Sequence, residues 1–547
     1  MAKQALQILL FSVLLLLLGR CAQMGELTGG ERDTVPPKLA EALPANKSTG
    51  FNSGNIVLTF NEFVQVKDLS NQLIISPKLK TTPEITADGK KINIVLKKEE
   101  LAPNTTYRFY FGTAIADMNE SNSIQNFEYV VSTGNFIDSL KVKGTVTDAV
   151  NNKPAGNTLI GLYNYNAAFN DSLPFKDAPD YISRSNENGE FSFGNLPYQK
   201  FKAYAIADKN KNNYYDGETE KVAFLDSVLN LVSDTSLRFN LFQEESPKGF
   251  IKKTVSPYYG LSQVVLNKKA KVIVTPINGT AARNISETRI GQQKDTISVY
   301  YNGLKDTLEL EINNLSAKKK DTLRLALPRN NPAKKRLKSL SINTQTGTLA
   351  LGAKIKLTFL TWMDTSRNDL KRVMFTSKED SLVSLADIKG RWTSVTTFEF
   401  GNQLKEGTSY NIRIDTGAFF DINGFPNDSL RSGFKTQSKL EFGKVALKVL
   451  LNKKQNYIIQ LINSSDQVFD QRLVSFPLSS SNAASINFTD VPPGTYLVKI
   501  IFDDNDNKKP DTGNLLLKQQ PERVIINSKQ LKVLSDWEIE EEIVIRE

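Results

Sequence analysis

The segment NIVLTFNEFVQV (Asn55–Val66), taken with KKINIVLKKEELAPNTTYRFYFGTAIADMN (Lys90–Asn119), decides the fold. Ile56, Leu58 and Phe60 are separated by single residues, as are Ile92, Ile94 and Leu96, and again Tyr107, Phe109 and Phe111. A spacing of two puts each row on one face of an extended strand, whereas a helix needs spacings of three and four. The alternation recurs at Val142 to Val146, Phe191 and Phe193, Leu308 to Ile312, Leu323 to Leu327, Ile355 to Phe359, Tyr410 to Ile414, Tyr457 to Leu461 and Ile543 to Ile545. Short alternating runs parted by Asn, Gly, Asp and Pro turns are the pattern of β-sandwiches. The expected fold class is therefore all-β, a tandem of β-sandwiches after an N-terminal signal segment.

A chain of 547 residues is too long for one core and, at ~100 to 150 residues per domain, should hold about four or five. With 40% hydrophobic and 23% charged residues, it has the balance of a chain that folds. Histidine is absent and Cys21 is the sole cysteine. This excludes Ser-His-Asp and Cys-His triads, His-ligated zinc, HExxH chemistry and a structural disulfide within the chain. Carboxylate catalysis stays open, since a glycosidase needs only two acids, but no catalytic pair stands out. The net charge of +10 is mild for this length. The runs Lys318 to Lys320 and Lys334 to Arg336 lack the interleaved aromatics of a nucleic-acid groove, so no nucleic-acid partner is expected. No Gly-rich nucleotide loop is present.

Lys3 followed by the apolar run Ala5 to Leu18 has the form of an export signal, too short to span a bilayer comfortably. Leu18-Gly19-Arg20-Cys21 then resembles a bacterial lipobox, although Arg20 stands where that motif has a small residue. The resemblance implies lipidation at Cys21, an outer-membrane or other cell-envelope location, and a membrane partner reached through the acyl chains. The polar, Gly-containing stretch to Asp33 reads as a tether, ended by Pro36-Pro37.

Two internal repeats locate the domains. The opening segment matches KIKLTFLTWMD and TTFEFGNQLKEGTSYNIRIDTGAFFDIN, which begin at Lys354 and Thr396. Both copies carry a Leu-Thr-Phe strand, a tyrosine at a strand start (Tyr107, Tyr410) and an Asp-x-Asn loop (Asp117, Asp421). With the entry DTVPPKL at Asp33–Leu39, these segments resemble the bacterial Ig-like domain of surface-layer and envelope proteins. In the second repeat, Phe193, Pro197, Phe201, Asp208, Asn210, Asn212 and Asp216 recur in kind 295 positions later as Phe488, Pro492, Tyr496, Asp503, Asn505, Asn507 and Asp511. Its first copy resembles a carboxypeptidase regulatory-like (transthyretin-type) β-sandwich, an accessory module in that family, with Gln199 where a turn glycine is usual and Gly494 keeps it. The expected organisation is a signal peptide (1–20), tether (21–33), Ig-like domain (34–134), transthyretin-type sandwich (135–245), β-rich domain (246–333), second Ig-like domain (334–437) and C-terminal sandwich (438–547).

The duplicated Asp-x-Asn-x-Asn-x3-Asp comes closest to chemistry. Oxygen side chains at loop positions 1, 3, 5 and 9 suit a hard cation such as Ca²⁺, with a backbone carbonyl at position 7, that of Tyr214 in the first copy. Position 6 is Asn213 or Lys508 in place of glycine, and position 12 is Thr219 or Asn514 in place of glutamate. The competing reading is that Asp and Asn make Asx-turns in a long loop. Trp362, Trp392 and Trp537 divide similarly between core positions and exposed faces that stack a sugar ring. The expected function is a non-catalytic structural or interaction module whose partners are other envelope proteins or surface glycans. The alternatives are a carbohydrate-binding component of a surface polysaccharide system and a carboxylate-based glycoside hydrolase.

Overall fold

The computed structural model describes residues 33–545 except 246–248, 268–271, 278–284, 291–294, 305–306, 315–318, 329–340, 345, 378–387, 452–454 and 476–482. The signal segment, Cys21 and almost all of the tether lie outside the described residues. Strands dominate: the one α-helix among the described residues is the four-residue Leu69–Gln72. None is long and apolar enough to cross a membrane. The chain divides into two compact units, and the division falls inside the strands Leu140–Asp148, Lys221–Phe224 and Thr235–Gln243.

The first unit opens with a sandwich. One sheet orders Leu39–Leu43, Asn55–Phe60, Lys91–Val95 and Glu84–Asp88, and the other Ile74–Ser76, Thr106–Gly112 and Phe127–Ser132. The antiparallel register sets Ile56 opposite Ile94 and Leu58 opposite Ile92. Residues opposite one another share a face, so both rows enter one core with Tyr107, Phe109, Phe111 and Tyr129 of the facing sheet. Full burial of each such side chain stabilises the fold by about 1.5–3 kcal/mol.

Beyond this core the same unit pairs Leu159–Asn164 with Tyr181–Arg184 and Gln199–Ile206. Val142 pairs with Phe193 and Gly144 with Phe191. A Cβ at Gly144 would stand 2.5 Å from the Phe191 ring and 2.2 Å from the Leu237 carbonyl oxygen, so the close approach of these strands requires glycine there. Gln199 begins its strand without difficulty because the matched Gly494 does not use a left-handed backbone, and a Cβ at Gly494 meets only the Tyr496 ring at 3.5 Å.

The second unit holds three further cores. Residues 251–327 contribute a core around Val264, Ile297, Leu308 and Leu310, beneath the sheets Ile251–Tyr258, Leu261–Leu266, Thr296–Tyr301, Ile285–Ile290 and Val272–Pro276, Thr307–Asn314, Lys319–Ala326. The next core contains Leu357, Phe398, Tyr410 and Phe419 and repeats features of the first sandwich. The Tyr107 hydroxyl accepts the Ala102 amide at 2.8 Å, and the Tyr410 hydroxyl accepts the Lys405 amide at 3.0 Å, each five residues upstream. Asp117 accepts the Glu120, Ser121 and Asn122 amides, and Asp421 those of Asn423 and Phe425. The repeated Asp-x-Asn loops are thus held by their own backbone. The last core unites Val445, Tyr457, Phe488, Val498 and Phe502.

Parallel pairing interrupts the antiparallel pattern at a single bridge between Ser48 and Val131 and over longer runs elsewhere. Thr348–Leu349 runs parallel to Leu430–Thr436, and Gly443–Leu450 runs parallel to Glu538–Val544 over seven residue pairs. A parallel neighbour requires a long crossover; the second is provided by the whole of the intervening sandwich, whose final strand returns beside its first.

Candidate functional site: two acidic loops

The strands Gln199–Ile206 and Gly494–Asp503 are the matched members of the repeat, and each leads into one acidic loop. In the first, Asp208 accepts the amides of Asn212 at 3.2 Å and Asn213 at 3.1 Å. Asn210 Oδ1 also accepts the Asn212 amide, and Asn212 Oδ1 accepts the Tyr214 amide. In the second, Asp503 accepts the amides of Asn507 at 3.1 Å and Lys508 at 3.0 Å. Asn505 Oδ1 accepts the Asn507 amide, and Asn507 Oδ1 accepts the Lys509 amide. The backbone follows suit, with left-handed φ at Lys211 (62°) and Asn213 (64°) and at the matched Asp506 (57°) and Lys508 (64°). Position 6, where glycine is missing, therefore has the conformation a glycine would favour in both loops.

Each loop also recruits a buried glutamate that the spacing did not reveal. Glu220, 1% exposed, accepts the Asp216 amide at 3.1 Å. Glu522, 7% exposed, accepts the Asp511 amide at 2.9 Å through Oε2, while its buried Oε1 has no hydrogen-bond partner. Glu220 follows the counted position 12 by one residue, a near miss that a tolerance of one would have caught. Glu522 lies nineteen residues after Asp503, because additional chain intervenes after Asp511, and no spacing rule reaches it.

The surroundings differ in charge. Arg184 Nη2 lies 3.7 Å from Asp208 Oδ2 and donates to Asn213 Oδ1 at 3.2 Å, beside an Asp208 side chain that is fully enclosed. In the second loop Asp511 Oδ2 accepts the side-chain amides of Asn505 and Asn507. Burial pushes the Glu522 carboxyl up to about 7; the Asp511 amide and, more weakly, the Asp504 amide oppose the rise, and the charges of Asp511 and Asp503 add to it. Among the described residues, no three acids stand close enough to hold a metal as they are.

The second loop continues into a junction. Thr512 Oγ1 donates to the Gln243 carbonyl at 2.7 Å, and the Leu515 amide donates to Glu244 Oε1 at 2.7 Å. A Cβ at Gly513 would lie 2.6 Å from the Phe242 ring, so glycine permits the close seat. Nearby pairings within the same unit join Lys153 to Asp466 at 2.5 Å, Lys221 to Asp148, and the Asn152 side chain to the Val524 carbonyl at 2.9 Å. Lys499 is buried, which lowers its pKa, with Asp148 and Asp466 opposing that fall.

The tryptophans separate. Trp392 packs 5.3 to 5.8 Å from the rings of Phe359, Phe398 and Phe419 and belongs to the core, whereas Trp537 is 64% exposed. Trp362 lines a cavity of only about 10 Å³ with Tyr259 and Tyr301. A cleft of about 960 Å³ in the first unit is polar, with Arg108, Tyr110, Asn126, Glu128, Arg184 and Glu190 among its lining residues. Its two glutamates are engaged, Glu128 with Arg108 at 2.7 Å and Glu190 with the Asn186 side chain at 3.0 Å.

Residues 33–133 match the family model of the bacterial Ig-like domain. No curated protein matches the chain in sequence. The surface-layer protein rSbsC(31-844) is similar at 11% identity, over 90% of this chain and 67% of that one, with a TM-score of 0.14. BcpA, the major pilin subunit of Bacillus cereus, is similar at 9% identity over 74% and 99%, also with a TM-score of 0.14. Neither likeness bears on activity. The chain is a tandem of all-β, Ig-like sandwiches, and its first domain matches the bacterial Ig-like family.

Proposed function

We propose that the chain is an exported, lipid-anchored and non-catalytic protein of a Gram-negative cell envelope, a structural or interaction module that carries its sandwiches outward from an acylated Cys21. The observation that carries this reading is the placement of the sole cysteine directly after an apolar run of signal length, ahead of a chain of sandwiches. The absence of histidine in the sequence supports the non-catalytic part. So does the engagement of Glu128 and Glu190 with neighbouring side chains in the polar cleft of the first unit. Other envelope proteins or surface glycans would be the partners. Metabolic labelling with a fatty-acid analogue should mark the wild type and leave Cys21→Ser unmarked, while Arg20→Gly should speed maturation. Equal labelling of wild type and Cys21→Ser would remove the anchor.

A glycan-binding reading is favoured by one feature, the polar cleft, in which the Arg108 guanidinium lies 5.0 Å over the Tyr110 ring and the Tyr110 hydroxyl donates to Asn126 at 2.6 Å. Tyr110→Ala should abolish retention on immobilised envelope polysaccharide if that cleft is the site. Unchanged retention would count against it.

A further inference from the structure

We propose that the second acidic loop, and not the first, is a Ca²⁺ site built from Asp503, Asn505, Asn507, Asp511 and Glu522, and that filling it fixes the junction made by Thr512 and Leu515. Glu522 is the observation that points to a ligand. A carboxylate enclosed to this degree normally has both oxygens satisfied, because an unpaired buried charge is costly. Here Oε1 has no hydrogen-bond partner, and the residue faces the acids Asp503 and Asp511, whose charges outweigh the weak opposing pull of the Asp504 amide. A divalent cation supplies the missing charge, and the donor set is all oxygen. Ca²⁺ takes 6 to 8 such ligands in flexible geometry, whereas Mg²⁺ demands a near-ideal octahedron.

The loop as it stands shows how it would close. The side-chain amides of Asn505 and Asn507 both point at Asp511 Oδ2. Each amide oxygen now accepts the Asn507 or the Lys509 amide, so bringing it to a cation beside Asp511 gives up these two turn bonds together with the two side-chain bonds to Asp511, in exchange for two carbonyl oxygens and a carboxylate oxygen around the ion. The Lys509 carbonyl, at position 7, and Glu522 Oε1 complete the set. The exchange explains why the acids are not gathered beforehand: the loop satisfies itself with its own amides until a cation replaces them. The first loop needs no ion, because the Arg184 guanidinium already stands beside Asp208. Thr512 and Leu515 follow directly on Asp511 and hold Gln243 and Glu244, so ordering the loop orders the contact.

The test is isothermal titration of the full chain, stripped with EDTA and held in detergent, with CaCl₂ at pH 7.5, and with MgCl₂ in parallel. One Ca²⁺ per chain is expected. Glu522→Gln, which keeps the shape and removes the charge, should weaken binding at least tenfold, and Asp208→Asn should leave it unchanged. Hydrogen exchange at residues 512–519 should slow on adding Ca²⁺. Asp511→Asn decides the matter should Glu522→Gln fail to fold. No saturable binding at millimolar CaCl₂, two ions per chain, equal affinity for Mg²⁺, or full affinity in Glu522→Gln would each overturn the proposal. The outcome is independent of lipidation at Cys21.

Discussion

The loops beginning at Asp208 and Asp503 share their spacing, their Asx-turns and their left-handed residues, yet they settle their charge in different ways. The first places a guanidinium from the neighbouring strand Tyr181–Arg184 against its leading aspartate. The second has three acids, one of them with an unpaired buried oxygen. A backbone scaffold copied within one chain can therefore keep its geometry while its electrostatic role diverges. The hydrogen bonds that position 1 accepts from the amides of positions 5 and 6 set the shape; side chains from outside the motif set the charge.

The largest difference between the loops should follow removal of the leading aspartate. Asp208→Ala removes the acceptor of the Asn213 amide, leaves the Asn212 amide to Asn210, and takes from Arg184 the carboxylate it pairs with. Breaking one partner of a buried pair costs about 3 kcal/mol or more. Asp503→Ala removes the acceptor of the Lys508 amide and leaves the Asn507 amide to Asn505, but also relieves repulsion on Glu522, so its net cost at pH 8 without calcium should be about 1 kcal/mol. Because a multidomain chain does not unfold in one step, the measurement is local hydrogen exchange at residues 212–213 and 507–508. Equal losses at the two loops would show that Arg184 contributes nothing to the first.

A smaller effect follows from acidity. Glu522 titrates near 7 in the folded chain, against about 4.3 for an unperturbed glutamate. Between those values the folded state holds a proton that the unfolded state has released. Stability of the second loop is therefore greatest below about pH 4.3, falls as pH rises through 7, and has lost the whole contribution by about pH 8. In EDTA, exchange protection at residues 503–511, corrected for intrinsic rates, should decline over this window. Glu522→Gln should flatten the decline and protect the loop better than wild type at pH 8. A wild-type loop that gains protection as pH rises would mean that Glu522 is ionised at neutral pH and held by a cation of the protein itself.

What could be read in the sequence was local. Period two in Ile56, Leu58 and Phe60, or in Tyr410, Ile412 and Ile414, follows from the pleat alone, and those side chains are buried. The Asp and Asn positions of the loops were legible because a turn is closed by residues two to five apart. The remaining features depend on which strands become neighbours. Nothing in Glu538–Val544 states that it will pair in parallel with Gly443–Leu450, nor does Arg184, 24 residues before Asp208, declare itself its counter-charge. Trp392 illustrates the same limit: alternation could not separate a core ring from a sugar platform until Phe359, Phe398 and Phe419 were seen around it.

The smallest effect tests the scaffold that the loops share. At position 6, Lys508 has φ 64° and Asn213 has the same value. A left-handed backbone costs an ordinary side chain roughly 1–2 kcal/mol, while asparagine tolerates it through local hydrogen bonding. Glycine removes that strain but loses more conformational entropy on folding, by about 0.5–1 kcal/mol. The two terms leave Lys508→Gly ahead by about 0.5 kcal/mol, and Asn213→Gly at about zero or slightly behind. Asn213 also has more to lose, since its Oδ1 accepts from Arg184. Exchange rates of the 507–508 and 212–213 amides in EDTA should therefore fall slightly in the first variant and rise slightly in the second. If Lys508→Gly instead loosens its loop as much as Asn213→Gly loosens the other, the lysine side chain is itself engaged with the acids, and the second loop would have a counter-ion of its own.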